Sequence, residues 1–144
     1  MSAPTLFRAG GALVALAGVL HFLGRFAAPP DNPAFALARE AMQAFSLRIA
    51  GVETNLHAIH ELLDWSFTLF SLLVGALDLA AARALAAQPG ALRSVSVVNA
   101  VGLAALTAAA LAFRVMPPAL FCSLAAAAFI GAAAQARPAQ SSRA

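Results

Sequence analysis

The sequence predicts an all-α integral membrane protein. Its expected form is a four-helix bundle of up-down-up-down topology, with an amphipathic interfacial helix between the first two spans. Three observations carry this. Hydrophobic residues make up 62% of the chain and charged residues 10%, against roughly a quarter charged in an ordinary soluble domain. The mean hydropathy is +0.83. Four stretches reach the roughly 20 mostly apolar residues that a spanning helix needs. They lie at about residues 6–26, 56–82, 95–113 and 118–135. The 144 residues suit one domain, here 1–136, with a polar tail at 137–144. The composition excludes a disordered chain, a collagen-like chain and a typical soluble enzyme.

The first span reads as a retained anchor and not as a signal peptide. Arg8 resembles a charged leader, but Phe26-Ala27-Ala28 is not an A-x-A cleavage site, Pro29 and Pro30 follow at once, and the apolar run is long. The connection after it is long. Asn32 is a good N-cap and Pro33 suits the first helical position. Phe35, Ala38, Met42, Phe45 and Ile49 then recur at helical steps, with Arg39, Glu40 and Gln43 on the other side. This pattern predicts an amphipathic helix over about 33–50, stopped at Gly51. It would lie in the membrane interface or close over the bundle mouth. Asn55 after Thr54 reads as the start of the next helix.

The later connections are short, which makes neighbouring helices antiparallel. Spans two and three are joined by Arg83 to Ser94, with Gln88-Pro89-Gly90 as a turn. Spans three and four are joined by Arg114-Val115-Met116-Pro117-Pro118, where the prolines start a helix. The tail from Arg137, with Pro138, reads as disordered.

All nine basic residues are Arg, and the net charge is +3. They are scattered, without the basic patch that nucleic-acid recognition needs. With both termini inside, five arginines fall on the cytoplasmic side (8, 83, 93, 137, 143) and four on the other (25, 39, 48, 114). That balance favours cytoplasmic termini in a bacterial inner membrane. Cys122 lies in an apolar run and reads as a small buried side chain.

The second span carries the chemistry. At about 100° per residue, positions three and four apart share a helix face. His57, His60, Glu61, Asp64, Thr68, Ser71, Gly75 and Asp78 fall on one such face. Ionisable groups against lipid would cost several kcal/mol each, so this stripe must face the bundle interior or a wet cavity. Gly10, Val14, Ala17, Gly18, His21 and Arg25 form a matching face on the first span, and small residues there permit close approach. The third span adds Ser96, Asn99 and Gly102, nearer the opposite side. Asp78 is expected to reach water or Arg83. Trp65 reads as an interfacial belt residue or a cavity wall.

Three histidines, two carboxylates, Arg25 and Arg114 therefore gather at one mouth. One reading is a metal site of His21, His57, His60 and Glu61, built on i, i+4 spacing. A variant is haem held by His21 with His57 or His60. Another is acid–base catalysis on a lipophilic substrate by Asp64, Glu61 and His60. The plainer reading is that the carboxylates pair with Arg25, Arg48 or Arg114 and pin the mouth. The leading functional expectation is a small binding or accessory membrane protein with a polar cavity at one face. Its partners would be membrane lipids, a lipophilic small molecule, and a second copy or a larger membrane complex.

Leu20-His21-Phe22-Leu23-Gly24, Met42, Gly51 and Asn55-Leu56-His57 resemble a group of small bacterial four-helix membrane proteins. These have Gly-His near the end of the first helix and an Asn/Ser-His element opening the second. Here Leu20 stands in place of the glycine. The resemblance covers about the first 80 residues and implies a fold and a pair of membrane-face histidines, His21 and His57, but no activity. The size is also similar to that of the membrane-associated eicosanoid and glutathione enzymes, whose second-helix motif Arg48 and Asn55 do not match in spacing.

Overall fold

The computed structural model describes residues 1–27 and 32–136. The elements run α1 (Ala3–Gly24), α2 (Pro33–Ala44), β1 (Ser46–Ile49), β2 (Val52–Asn55), α3 (Leu56–Ala84), α4 (Pro89–Ala112) and α5 (Met116–Gln135). Of these, α1, α3, α4 and α5 are each long and apolar enough to cross a membrane. Pro29, Pro30 and the polar tail lie outside the described residues.

Two boundaries differ from the sequence reading. The amphipathic helix ends at Ala44, not near residue 50. Residues Ser46–Asn55 instead form an antiparallel hairpin, with Ile49 opposite Val52 and Arg48 opposite Glu53. The cause is local. Ala50 and Gly51 both take positive φ, 49° and 85°, as the two-residue turn that matches strand twist requires. The flanking Leu47, Ile49, Val52 and Thr54 favour extended backbone. Asn32 does cap α2, its Oδ1 accepting from Ala34 N at 2.9 Å.

The second difference is at α4, which begins at Pro89 and not near residue 95. Pro89 and Gly90 open the helix instead of turning the chain. A proline in the first helical turn loses no hydrogen bond, because that N–H has no helical partner. Pro117 and Pro118 do the same for α5. At the other end of α4, Arg114 takes a φ of 59° and Val115 N donates to Ala110 O at 2.8 Å. This left-handed cap reverses the chain within three residues.

Packing is centred on α1, which lies against α3 and α5, while α5 lies against α4. The α1–α3 pair is antiparallel and very close. A Cβ on Gly75 would stand 2.6 Å from Ala15 N. One on Gly11 would meet Asp78 Cβ at 2.8 Å, and one on Gly18 would meet Ser71 Cβ at 3.0 Å. On the other flank, Phe7 meets Phe129 edge to face with centroids 5.0 Å apart, and a Cβ on Gly10 would strike that Phe129 ring. Phe7, Phe129 and Leu92 are fully buried. Cys122 is buried as expected. Leu62, Leu63, Leu69, Phe70 and Leu73 of α3 remain exposed.

The tolerance of the glycines should follow this geometry. Gly75→Ala is expected to destabilise by about 1–3 kcal/mol through overpacking against Ala15. Gly102→Ala, which meets nothing within 4 Å, should be neutral or slightly stabilising. Unfolding midpoints of the two purified variants decide this; equal midpoints would contradict the close α1–α3 approach.

Candidate functional site at one end of the helices

The polar stripe of α3 turns inward. Thr68, Gly75 and Asp78 are buried, while Glu61, Asp64 and Ser71 are half-buried. Asn55 caps the start of α3, its Oδ1 accepting from Ala58 N at 2.8 Å. This cap fixes the phase in which His57 to Asp64 enter the helix. Facing them are His21, in the last turn of α1, and Arg25, the residue that caps that helix.

Arg25 organises the cluster. Its Nη1 donates to Asp64 Oδ2 and its Nη2 to Glu61 Oε2. Glu61 and Asp64 are three residues apart and thus on one face, so a single guanidinium bridges both. The flat guanidinium also lies over Trp65, 4.6 Å from the ring centroid, a favourable placement of a cation on an aromatic face. His21 Nε2 donates to Asp64 Oδ1 at 3.0 Å. Its ring meets Phe67 edge to face at 4.8 Å. Phe22 in turn packs against Trp65. Both oxygens of Asp64 are therefore engaged, one by His21 and the other by Arg25.

Several expected members are not drawn in. His57 is half-buried and His60 exposed. His60 shares a shallow cleft with His21 and Asp64 but makes no hydrogen bond among the described residues. Among those residues, Arg114 makes no ion pair either, and Arg48 turns to Gly51 O in the hairpin. No three His, Cys, Asp or Glu side chains among the described residues stand close enough together to hold a metal ion. The set His21, His57, His60 and Glu61 is thus not assembled. The space between Glu61 and Asp64 already holds a cation, Arg25.

Two cavities adjoin the cluster. One of about 370 Å³, hereafter the polar cavity, has mostly apolar walls but holds the polar groups of the cluster; it is bounded by His21, Arg25, Asp64, Pro117, Pro118 and Phe121, among others. An apolar one of about 270 Å³ lies between the helices, bounded by Val14, Phe70, Val74, Leu103, Leu106 and Cys122, among others. Ala17, Phe67 and Phe121 line both.

A second polar contact, on α3 toward the other end, departs from expectation. Asp78 does not reach Arg83. It is 5% exposed, and its Oδ1 accepts from Asn99 Nδ2 of α4 at 2.7 Å. Among the described residues its Oδ2 has no partner, and neither does the buried Thr68 Oγ1. The sequence placed Asp78 and Asn99 on inward faces. What it lacked was the depth of Asp78, which follows from Gly11 lying directly over it. Compared with known proteins, the chain matches no family model, no curated protein and no solved structure.

Two outcomes follow for stability. Arg25→Ala strands two neighbouring carboxylates and should cost about 2–3 kcal/mol, discounted for partial exposure. The exposed Arg83→Ala should stay within about 0.5 kcal/mol. Chemical unfolding checks this, and Trp65 emission should shift in the first variant only. Asn99→Leu leaves Asp78 without any partner, and a loss of about 1–3 kcal/mol is expected; no loss would mean that Asp78 finds another donor.

Proposed function

We propose that the chain is an integral membrane protein that binds a lipophilic small molecule where the polar and apolar cavities meet. The observation that carries this reading is their adjacency. A hydrogen-bonding cavity opens at one end of the helices, and an apolar one continues from it behind a shared wall of Ala17, Phe67 and Phe121. Pockets that hold small molecules combine mostly apolar walls with a few placed polar groups, in volumes of about 300–1,000 Å³. In this reading the four long helices form an up-down-up-down bundle in a bacterial inner membrane, with both termini cytoplasmic. Exposed Leu62, Leu69, Phe70 and Leu73 then face acyl chains.

The segment between α1 and α3 belongs to the same picture. Phe35, Leu37, Phe45, Ile49 and Val52 are all exposed, and α2 packs lightly on α3. A short helix and hairpin with outward apolar side chains suit the membrane interface beside the cavity mouth. Binding is favoured over catalysis because the carboxylates are committed. Asp64 is held on both oxygens and Glu61 on one, which leaves Asp64 no free oxygen to act as a general base.

The test is retention of a ligand. Protein purified from a bacterial membrane should release one lipophile at close to one molecule per chain on solvent extraction and mass spectrometry. Val74→Trp, which fills the apolar cavity, should release far less. If both proteins return the same mixture of bulk phospholipid, the binding reading fails.

A further inference from the structure

The balance of charge around the polar cavity narrows the chemistry of its occupant, an inference that rests on the binding reading above. We propose that the site takes a neutral lipophile bearing a hydroxyl group, with the hydroxyl at His21 and Arg25 and the apolar part among Phe67, Val74, Leu106 and Phe121.

The argument begins with what lines the cavity. Arg25 and Asp64 are its two charged lining residues, of opposite sign and already paired. Arg25 is further matched by Glu61. An anionic head would face Asp64 and find a guanidinium that two carboxylates have neutralised. With two carboxylates to one guanidinium, the cluster opposes an anion outright. A cation is drawn by the excess negative charge but meets Arg25 and finds both oxygens of the lining carboxylate, Asp64, already bonded, so it too gives up hydration without a free partner.

A hydroxyl loses less and finds partners. With Nε2 turned to Asp64, the other ring nitrogen of His21 is an acceptor in the neutral imidazole and a donor in the protonated one, and a hydroxyl can meet either. His21 Nδ1 makes no hydrogen bond among the described residues. A guanidinium carries five N–H donors, of which the two carboxylates use one on each terminal nitrogen. A hydroxyl is both donor and acceptor, so it complements this pair.

The apolar side accepts a compact group. A cavity of about 150 Å³ suffices for benzene, and here about 270 Å³ is available. Access comes from the side. Helices α3 and α4 make little direct contact, apart from the Asn99–Asp78 hydrogen bond. Phe70, Val74 and Leu106 line the cavity at this seam and are themselves exposed. A molecule dissolved in the bilayer can enter here without crossing water.

Trp65 is the single tryptophan of the chain, and it lies beneath Arg25, so it reports on the site. The full chain in nanodiscs of neutral phospholipid is titrated with decanol brominated beside its hydroxyl. Saturable quenching of Trp65 is expected. Unlabelled decanol should displace the probe about tenfold more effectively than decanoic acid or decylamine, assayed at mildly alkaline pH where both are charged. His21→Phe, with its helical content checked by circular dichroism, should abolish that preference. If the acid or the amine competes as well as the alcohol, the inference about the head group is overturned while the binding reading stands. If no probe gives saturable, competed quenching, the binding reading falls and this inference with it.

Discussion

A charged or hydrogen-bonding group placed in apolar surroundings must find a partner, and the structure follows from that constraint. Nearly all the ionisable groups on the long helices that turn inward are satisfied across a helix boundary. Arg25, capping α1, bridges Glu61 and Asp64 of α3. His21 completes Asp64. Asn99 of α4 satisfies half of Asp78. These contacts set the rotation of α3 about its own axis. Turned by half a turn, α3 would present Asp64 and Asp78 on its apolar outer surface and bury Leu62, Leu69 and Leu73. Both changes are unfavourable, and their costs add.

Polar pairing of this kind works only if the helices come close enough. The side chains at the cluster are short of reach: Asp64 carries one methylene, and His21 a ring fixed at its Cβ. Gly11, Gly18 and Gly75 remove the side chains that would hold α1 and α3 apart. Close packing between small residues is itself a main source of helix association where no hydrophobic effect operates. The two devices reinforce each other along one seam. Glycines draw the middle of the pair together, and the ion-paired network closes the end. The opposite seam, between α3 and α4, has neither run of glycines nor network, and the apolar cavity opens there.

Much of this was legible in the sequence. The period of the α3 stripe identified the inward face, since a helix fixes angular position once its phase is known. The small-residue face of α1 and the N-caps Asn32 and Asn55 were equally plain. Two kinds of information were not. The hairpin at Ser46–Asn55 was hidden because Phe45 and Ile49 also fit a helical repeat; Ala50-Gly51 flanked by Ile49 and Val52 was the competing turn signal. Which residues of the stripe meet across the helices was not legible, because angular position does not report reach. His57 and His60 share the stripe, yet they stand at the rim, whereas the partners of Arg25 are set by where the last turn of α1 meets α3. The depth of Asp78 depended on Gly11, a residue 67 positions away, which no pattern within α3 could reveal.

The position of Arg25 also bears on the chemistries that the residue types permit. Two carboxylates and a histidine are common ligands for a divalent cation, and their spacing here invites that reading. A guanidinium in their midst changes it. It supplies the positive charge itself, it meets each carboxylate by a directed hydrogen bond, and it is held from below by Trp65. A metal ion would have to displace it and leave a cation stranded against an aromatic ring and apolar helices. With Arg25 paired to both carboxylates, what the cavity still offers is directional hydrogen bonding beside an apolar wall. That is the means by which the proposed site would recognise an uncharged polar group on a hydrophobic molecule, although charged residues line it.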